Sequence, residues 1–164
     1  MNITSILRQA LSSALIIGCA VFNGPVSAAD RFLIQGEEVI DTATGLVWQR
    51  CPLGQTLQSE RCEGAMQLFT WDELSYLIPW GYRVPNVKEL DSLIDRSRYN
   101  LAIDPDAFPF GSLKTTFFWS STPSFKNQQE PEYANMAAGV SLKTGKVYVY
   151  LDASLTQGLL LLKN

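Results

Sequence analysis

The sequence predicts an α+β domain, with two helices in its first half and several antiparallel strands in its second. Two polar-x-x-Glu caps precede short apolar runs of helical spacing, around 70–78 and 86–94. Runs rich in β-branched and aromatic residues follow at 115–122, 133–142 and 147–151, separated by turn residues. No internal repeat breaks that order. Helices and strands segregated in this way are expected to pack as helices on an antiparallel sheet.

The first segment is read as a secretion signal covering 1–28, cut after residue 28 or 29. Arg8 is followed by the apolar run Ala10–Phe22 and the small-residue stretch Pro25-Val26-Ser27-Ala28-Ala29. The apolar run is too short for a bilayer of about 30 Å, which takes roughly 20 apolar residues as a helix. A first helix buried in the domain is the competing reading. Ile16-Ile17-Gly18-Cys19 also fits loosely the pattern at which bacterial lipoproteins are acylated on cysteine, so lipidation at Cys19 is the minority alternative. No other segment reads as a membrane span.

Residues 29–164 are expected to form one domain, about 135 residues being too few for two typical ones. Arg8 is the only charged residue in the signal, so its removal takes the net charge from −3 to about −4. The basic residues are scattered, which argues against nucleic-acid binding. Only Cys51 and Cys62 remain after the cut, an even number in an oxidising compartment, and they are expected to pair. A metal or redox pair is the alternative, but the chain has no histidine to complete a zinc site.

Along the chain, Val39–Trp48 reads as two short strands around a turn at Thr44-Gly45. The segment between the cysteines has Pro and Gly early and no helical period, so it reads as a surface excursion. Thr70-Trp71-Asp72-Glu73 is a capping box that starts a helix presenting Trp71, Leu74, Leu77 and Ile78, ending before Pro79. Asn86-Val87-Lys88-Glu89 starts a second, with Val87, Leu90, Leu93 and Ile94 on one face. Turns at Asp104-Pro105-Asp106 and Phe108-Pro109-Phe110 follow. Thr115–Thr122 reads as a strand, Lys143–Lys146 as a turn into Val147–Leu151, and Leu159–Leu162 as a buried last strand. Trp48 and Trp119 are expected core anchors.

The segments VIDTATGLVWQRCPLGQTLQSERCEG, TWDELSYL, WGYRVPNVKELDSLID, IDPDAFP, FFWSSTP and GVSLKTGKVY stand in the order seen in the Lcl C-terminal domain family, which the chain resembles over essentially all of residues 29–164. That bacterial module is named after the end of a collagen-like adhesin. The resemblance implies a C-type-lectin-like fold and a role in binding sulfated polysaccharides at the bacterial surface. Two departures stand out. The family's usual Trp-Arg-Leu-Pro is Tyr82-Arg83-Val84-Pro85 here, and its arginine-bearing last strand is Gly158-Leu159-Leu160-Leu161-Leu162-Lys163. The second removes positive charge and weakens the transfer of polyanion binding to this chain.

Without histidine there is no Ser-His triad and no His base. No glycine-rich phosphate loop is present, and no carboxylate pair is marked out for glycoside hydrolysis. Non-enzymatic function is therefore expected. A lectin-like site needs acceptors for sugar hydroxyls, sometimes on a calcium ion held by several oxygens. The loop 127–132 lies roughly where C-type lectins carry their sugar-binding loop, which makes Gln129, Glu130 and Glu132 ligand-binding candidates. Glu130 and Glu132 are also calcium candidates, as are Asp104 and Asp106. A plain polar loop and a plain turn are the respective alternatives. Arg83 is a further ligand candidate, against the alternative that it pins its loop to the core. The expected function is an exported binding module for a glycan or a cell-surface partner, periplasmic, secreted or on the surface. The alternative is an assembly module that binds protein in a periplasmic or surface apparatus.

Overall fold

The computed structural model describes residues 31–124 and 135–164; the expected signal, Cys19, Gln129, Glu130 and Glu132 lie outside them. Three short strands open the fold as a meander: β1 (Phe32–Gln35), β2 (Glu38–Asp41) and β3 (Leu46–Gln49). The expected Thr44-Gly45 turn joins the last two. Gly45 sits at φ +72°, where a side chain is disfavoured, and its N–H donates to the Asp41 carbonyl at 2.7 Å.

The segment between the cysteines is more ordered than a surface excursion. It folds as a hairpin of β4 (Thr56–Gln58) and β5 (Arg61–Glu63). Ser59 and Glu60 both take positive φ, +46° and +59°, the pattern of a two-residue type I′ turn whose twist suits paired strands. Cys51 and Cys62 are joined in a disulfide, as expected, and both are buried.

The two-helix expectation fails at the first helix. Residues 72–75 make only a single 3-10 turn, because the Thr70 box closes differently. The Glu73 carboxylate accepts from the Thr70 N–H at 2.7 Å and also from the Thr70 hydroxyl at 2.9 Å. The hydroxyl thus donates to the carboxylate and no longer serves the Glu73 N–H, which bonds the Thr70 carbonyl. Pro79 then disfavours helical backbone at Ile78, leaving too few residues to repay a helix nucleus. Leu77, expected on the buried face, is exposed.

The second box forms as expected. Asn86 Oδ1 accepts from the N–H groups of Lys88 and Glu89, and the Glu89 carboxylate accepts from the Asn86 N–H. It starts α1 (Val87–Ser92), the one α-helix among the described residues, preceded by the short strand β6 (Tyr82–Arg83). Leu90 and Leu93 are buried, with Val87 and Ile94 packed against the same core. The architecture is therefore mostly β with a single short helix, which replaces the two-helix, C-type-lectin-like arrangement expected above.

The late strands stand close to their expected positions: β7 (Phe117–Pro123), β8 (Met136–Ser141) and β9 (Lys146–Asp152) form an antiparallel sheet in that order. The last strand, β10 (Leu162–Lys163), inserts between β3 and β6 to complete a five-stranded sheet of order β1-β2-β3-β10-β6. Leu159 to Leu162 are all 0% exposed. Leu160 and Leu162 join the core around Trp48, Leu90, Phe118 and Val140, whereas Leu159 and Leu161 join the one around Phe69, Leu74 and Trp119. A segment buried on both faces needs an unbroken apolar run, and that is what the sequence supplies. Trp48 and Trp119 are fully buried anchors of the two cores.

Candidate functional site

Arg83 reaches α1 and makes two parallel bonds to one carboxylate: Nη1 to Glu89 Oε2 at 2.8 Å and Nη2 to Glu89 Oε1 at 2.7 Å. The same carboxylate caps the helix at Asn86. The Arg83 hydrogen bonds hold the Glu89 carboxyl below its usual range, and Glu89 holds the guanidinium above its own. Arg83 thus ties the edge strand β6 to the helix start. Its guanidinium nevertheless stays part-exposed.

Asp104 and Asp106 line a cleft of about 700 Å³ together with Arg31, Asp95, Arg96 and Arg98; Arg83 does not line it. Asp104 Oδ1 accepts from the backbone N–H groups of Asp106 and Ala107, and its Oδ2 faces Arg98 Nη2 at 3.4 Å. Both its oxygens are thereby engaged by protein donors. Among the described residues, no group of three or more cysteines, aspartates or glutamates is placed to hold a metal ion. The arginines of the cleft are each matched: Arg31 with Asp41, Arg96 with Asp91, Arg98 with Asp95 and Asp104.

A different surface gathers groups that the sequence reading did not join. Pro79-Trp80-Gly81-Tyr82 makes a tight turn at the edge of the five-stranded sheet. The Tyr82 N–H donates to the Pro79 carbonyl at 3.2 Å, and Gly81 takes φ +86°, as the third position of a type II turn requires. The Asn164 N–H closes the turn from the other side through the Gly81 carbonyl at 2.9 Å. On this fixed turn the Trp80 side chain is 99% exposed. Isolated exposed hydrophobics are ordinary. Trp80, however, stands four residues from Tyr76, 69% exposed, and three from exposed Leu77.

Next to Trp80, three strands contribute a polar set. Glu38 of β2 accepts from the Tyr82 hydroxyl of β6 at 3.0 Å and from Lys163 Nζ of β10 at 2.8 Å. The Lys163 bond, together with Tyr82, keeps the Glu38 carboxyl below its usual range against the opposing effect of burial. Burial and the neighbouring carboxylate push the Tyr82 phenol up, and Glu38 holds the Lys163 ammonium above its usual value. Trp80, Tyr82, Lys163 and Asn164 line a cleft of about 530 Å³, with Ile78 and Pro79 along its apolar side. In sequence, only a tryptophan between Pro79 and Gly81, apart from any strand run, pointed there. Glu38 and Lys163 lie 125 residues apart, and no local pattern links them.

The described residues thus form a β-rich domain, closed by a disulfide, with an exposed aromatic edge. The model of the Lcl C-terminal domain family matches residues 37–158, and the chain belongs to that family. The match stops before Lys163 and Asn164, so part of the Trp80 cleft lies beyond the matched range. No curated protein and no solved structure matches the chain. Among the described residues, no helix is long and apolar enough to cross a membrane.

Proposed function

We propose that this chain is an exported, non-enzymatic binding module that recognises a glycan through the Trp80 edge. The single observation that carries the reading is an almost fully exposed indole on a hydrogen-bonded turn, flanked by the Tyr82–Glu38–Lys163 set. A sugar ring offers one apolar C–H face and a rim of hydroxyls. It is suited by a flat aromatic surface beside groups that both donate and accept hydrogen bonds. Trp80 supplies the surface. Lys163 has three N–H donors and gives one to Glu38, while the side-chain oxygen of Asn164 offers an acceptor.

Family membership supports the binding role, and the signal-like N-terminus and the disulfide support export. The absence of histidine supports a non-catalytic role. A glycan array probed with the full protein and with Trp80→Ala, in calcium and in chelator, tests the reading. Sugar retention by the wild type and its loss in Trp80→Ala is the expected result. Silence of the wild type on every sugar overturns the reading and leaves a protein-binding assembly role ahead.

A further inference from the structure

Building on the glycan reading, we infer that the Trp80 cleft selects an uncharged sugar and rejects sulfated or otherwise anionic ones. Among the side chains that line the cleft, that of Lys163 alone carries a charge. Its ammonium lies 2.8 Å from Glu38 and is already neutralised there. The Tyr82 hydroxyl donates to the same carboxylate, so two donors facing the cleft are oriented toward a negative group of the protein itself.

A sulfate bonded to the remaining N–H groups of Lys163 would meet an ammonium whose charge Glu38 already balances, and would lie close to that carboxylate. Like charges brought together in this way are how binding sites reject wrong partners. The nearest arginine in sequence, Arg83, offers no substitute, because both its Nη atoms are bonded to Glu89 on α1. Beside Gly81 and Asn164, the rest of the cleft is apolar: the indole of Trp80, the ring of Pro79 and the aliphatic Ile78. These surfaces gain from covering the C–H face of a neutral pyranose and gain nothing from charge. The chain as a whole is net acidic, so its long-range field also repels polyanions.

The test uses matched polymers: dextran against dextran sulfate, supplemented by mannan and soluble chitooligosaccharides as further neutral probes. Binding to the full protein is followed by Trp fluorescence and by calorimetry, between about 0.05 and 0.5 M salt. The expected result is binding of at least one neutral probe, changed less than about twofold across that salt range, with dextran sulfate at least about tenfold weaker. Trp80→Ala should lose the neutral binding, and Glu38→Gln, by releasing the ammonium, should raise dextran sulfate binding severalfold. Tighter binding of dextran sulfate by the wild type, lost in Trp80→Ala and on adding salt, overturns the inference while keeping the glycan reading. Binding of neither class in the array or here overturns both.

Discussion

Arg50 is 1% exposed and donates from Nη1 to Glu60 at 3.0 Å, although Glu60 itself is 75% exposed. The remaining guanidinium donors go inward: Nε to the Ala107 carbonyl, Nη2 to the Asp106 carbonyl and Nη1 also to the Gly36 carbonyl. One buried side chain therefore joins the β1–β2 turn, the β4–β5 hairpin and the 104–108 loop. Arg50→Met should cost about 3 kcal/mol, because the buried Ala107 carbonyl and the part-buried bonds to Gly36 and Asp106 lose their donor. Glu60→Ala should cost about 1 kcal/mol or less, its carboxylate being in water. Urea denaturation of both variants measures the asymmetry, and equal losses would refute it.

The disulfide is the second independent tie on the same hairpin. Cys51 and Cys62 are 11 residues apart, and closing a loop of that length stabilises by about 3 kcal/mol on chain-entropy grounds. The double variant Cys51→Ala/Cys62→Ala should lose about that much in the denaturation midpoint analysis. A double variant as stable as the oxidised wild type would contradict this account.

Acid should destabilise the domain. Burial pushes the Asp41 carboxyl up, but the hydrogen bonds from Arg31 and the Ala43 N–H overcome this and leave it below its usual range. Glu38 and Glu89 are likewise held low by Lys163 and Arg83. Folded carboxyls with depressed values contribute stability that is present above the unfolded value, near pH 4, and is lost as pH falls through the folded one. Thermal midpoints should hold from pH 7 to about 5 and fall between about 4 and 2. A midpoint that is level down to pH 2 would show that these pairs contribute nothing.

The two kinds of tryptophan should part company. Trp119 is fully buried and its Nε1–H donates to the Phe69 carbonyl at 2.8 Å, so Trp119→Ala should cost about 4 kcal/mol. Trp80→Ala should stay within about 0.5 kcal/mol of the wild type, since water already surrounds the indole. Equilibrium unfolding checks both, and a large loss for Trp80→Ala would mean that the exposed ring is structural.

Gly81→Ala tests the turn beneath that ring. No heavy atom lies within 4 Å of where the new Cβ would stand, so any cost comes from φ +86° alone, about 1 kcal/mol. Ligand binding should weaken along with the turn. Full binding in Gly81→Ala would show that the turn need not be held in this conformation.

What was legible in the sequence was local. The Asn86 box forms because its donors and acceptors lie within three residues, and the partners added from outside, Arg83 on Glu89 and Thr122 on the Val87 N–H, leave its bonds in place. The Thr70 box has the same spelling, yet its carboxylate captures the hydroxyl while Trp71 Nε1 is drawn to the Ser120 carbonyl, 49 residues away. Strands β1 and β6 escaped notice for a related reason. They are four and two residues long, and β6 owes its pairing to β10, some eighty residues later. The Trp80 cleft is assembled from β6, β10 and a turn, with Glu38 of β2 bonded to two of its side chains, so its chemistry exists only after the sheet has closed.

The position of β10 has a consequence for how the chain folds. A strand drawn from residues 162–163 separates β3 from β6, and its preceding leucines fill both cores. Without that stretch in place, the β1–β3 meander and the β4–β5 hairpin can pair locally, but neither core can close. Folding therefore waits on contacts between segments far apart in sequence, and such nonlocal closure is slow.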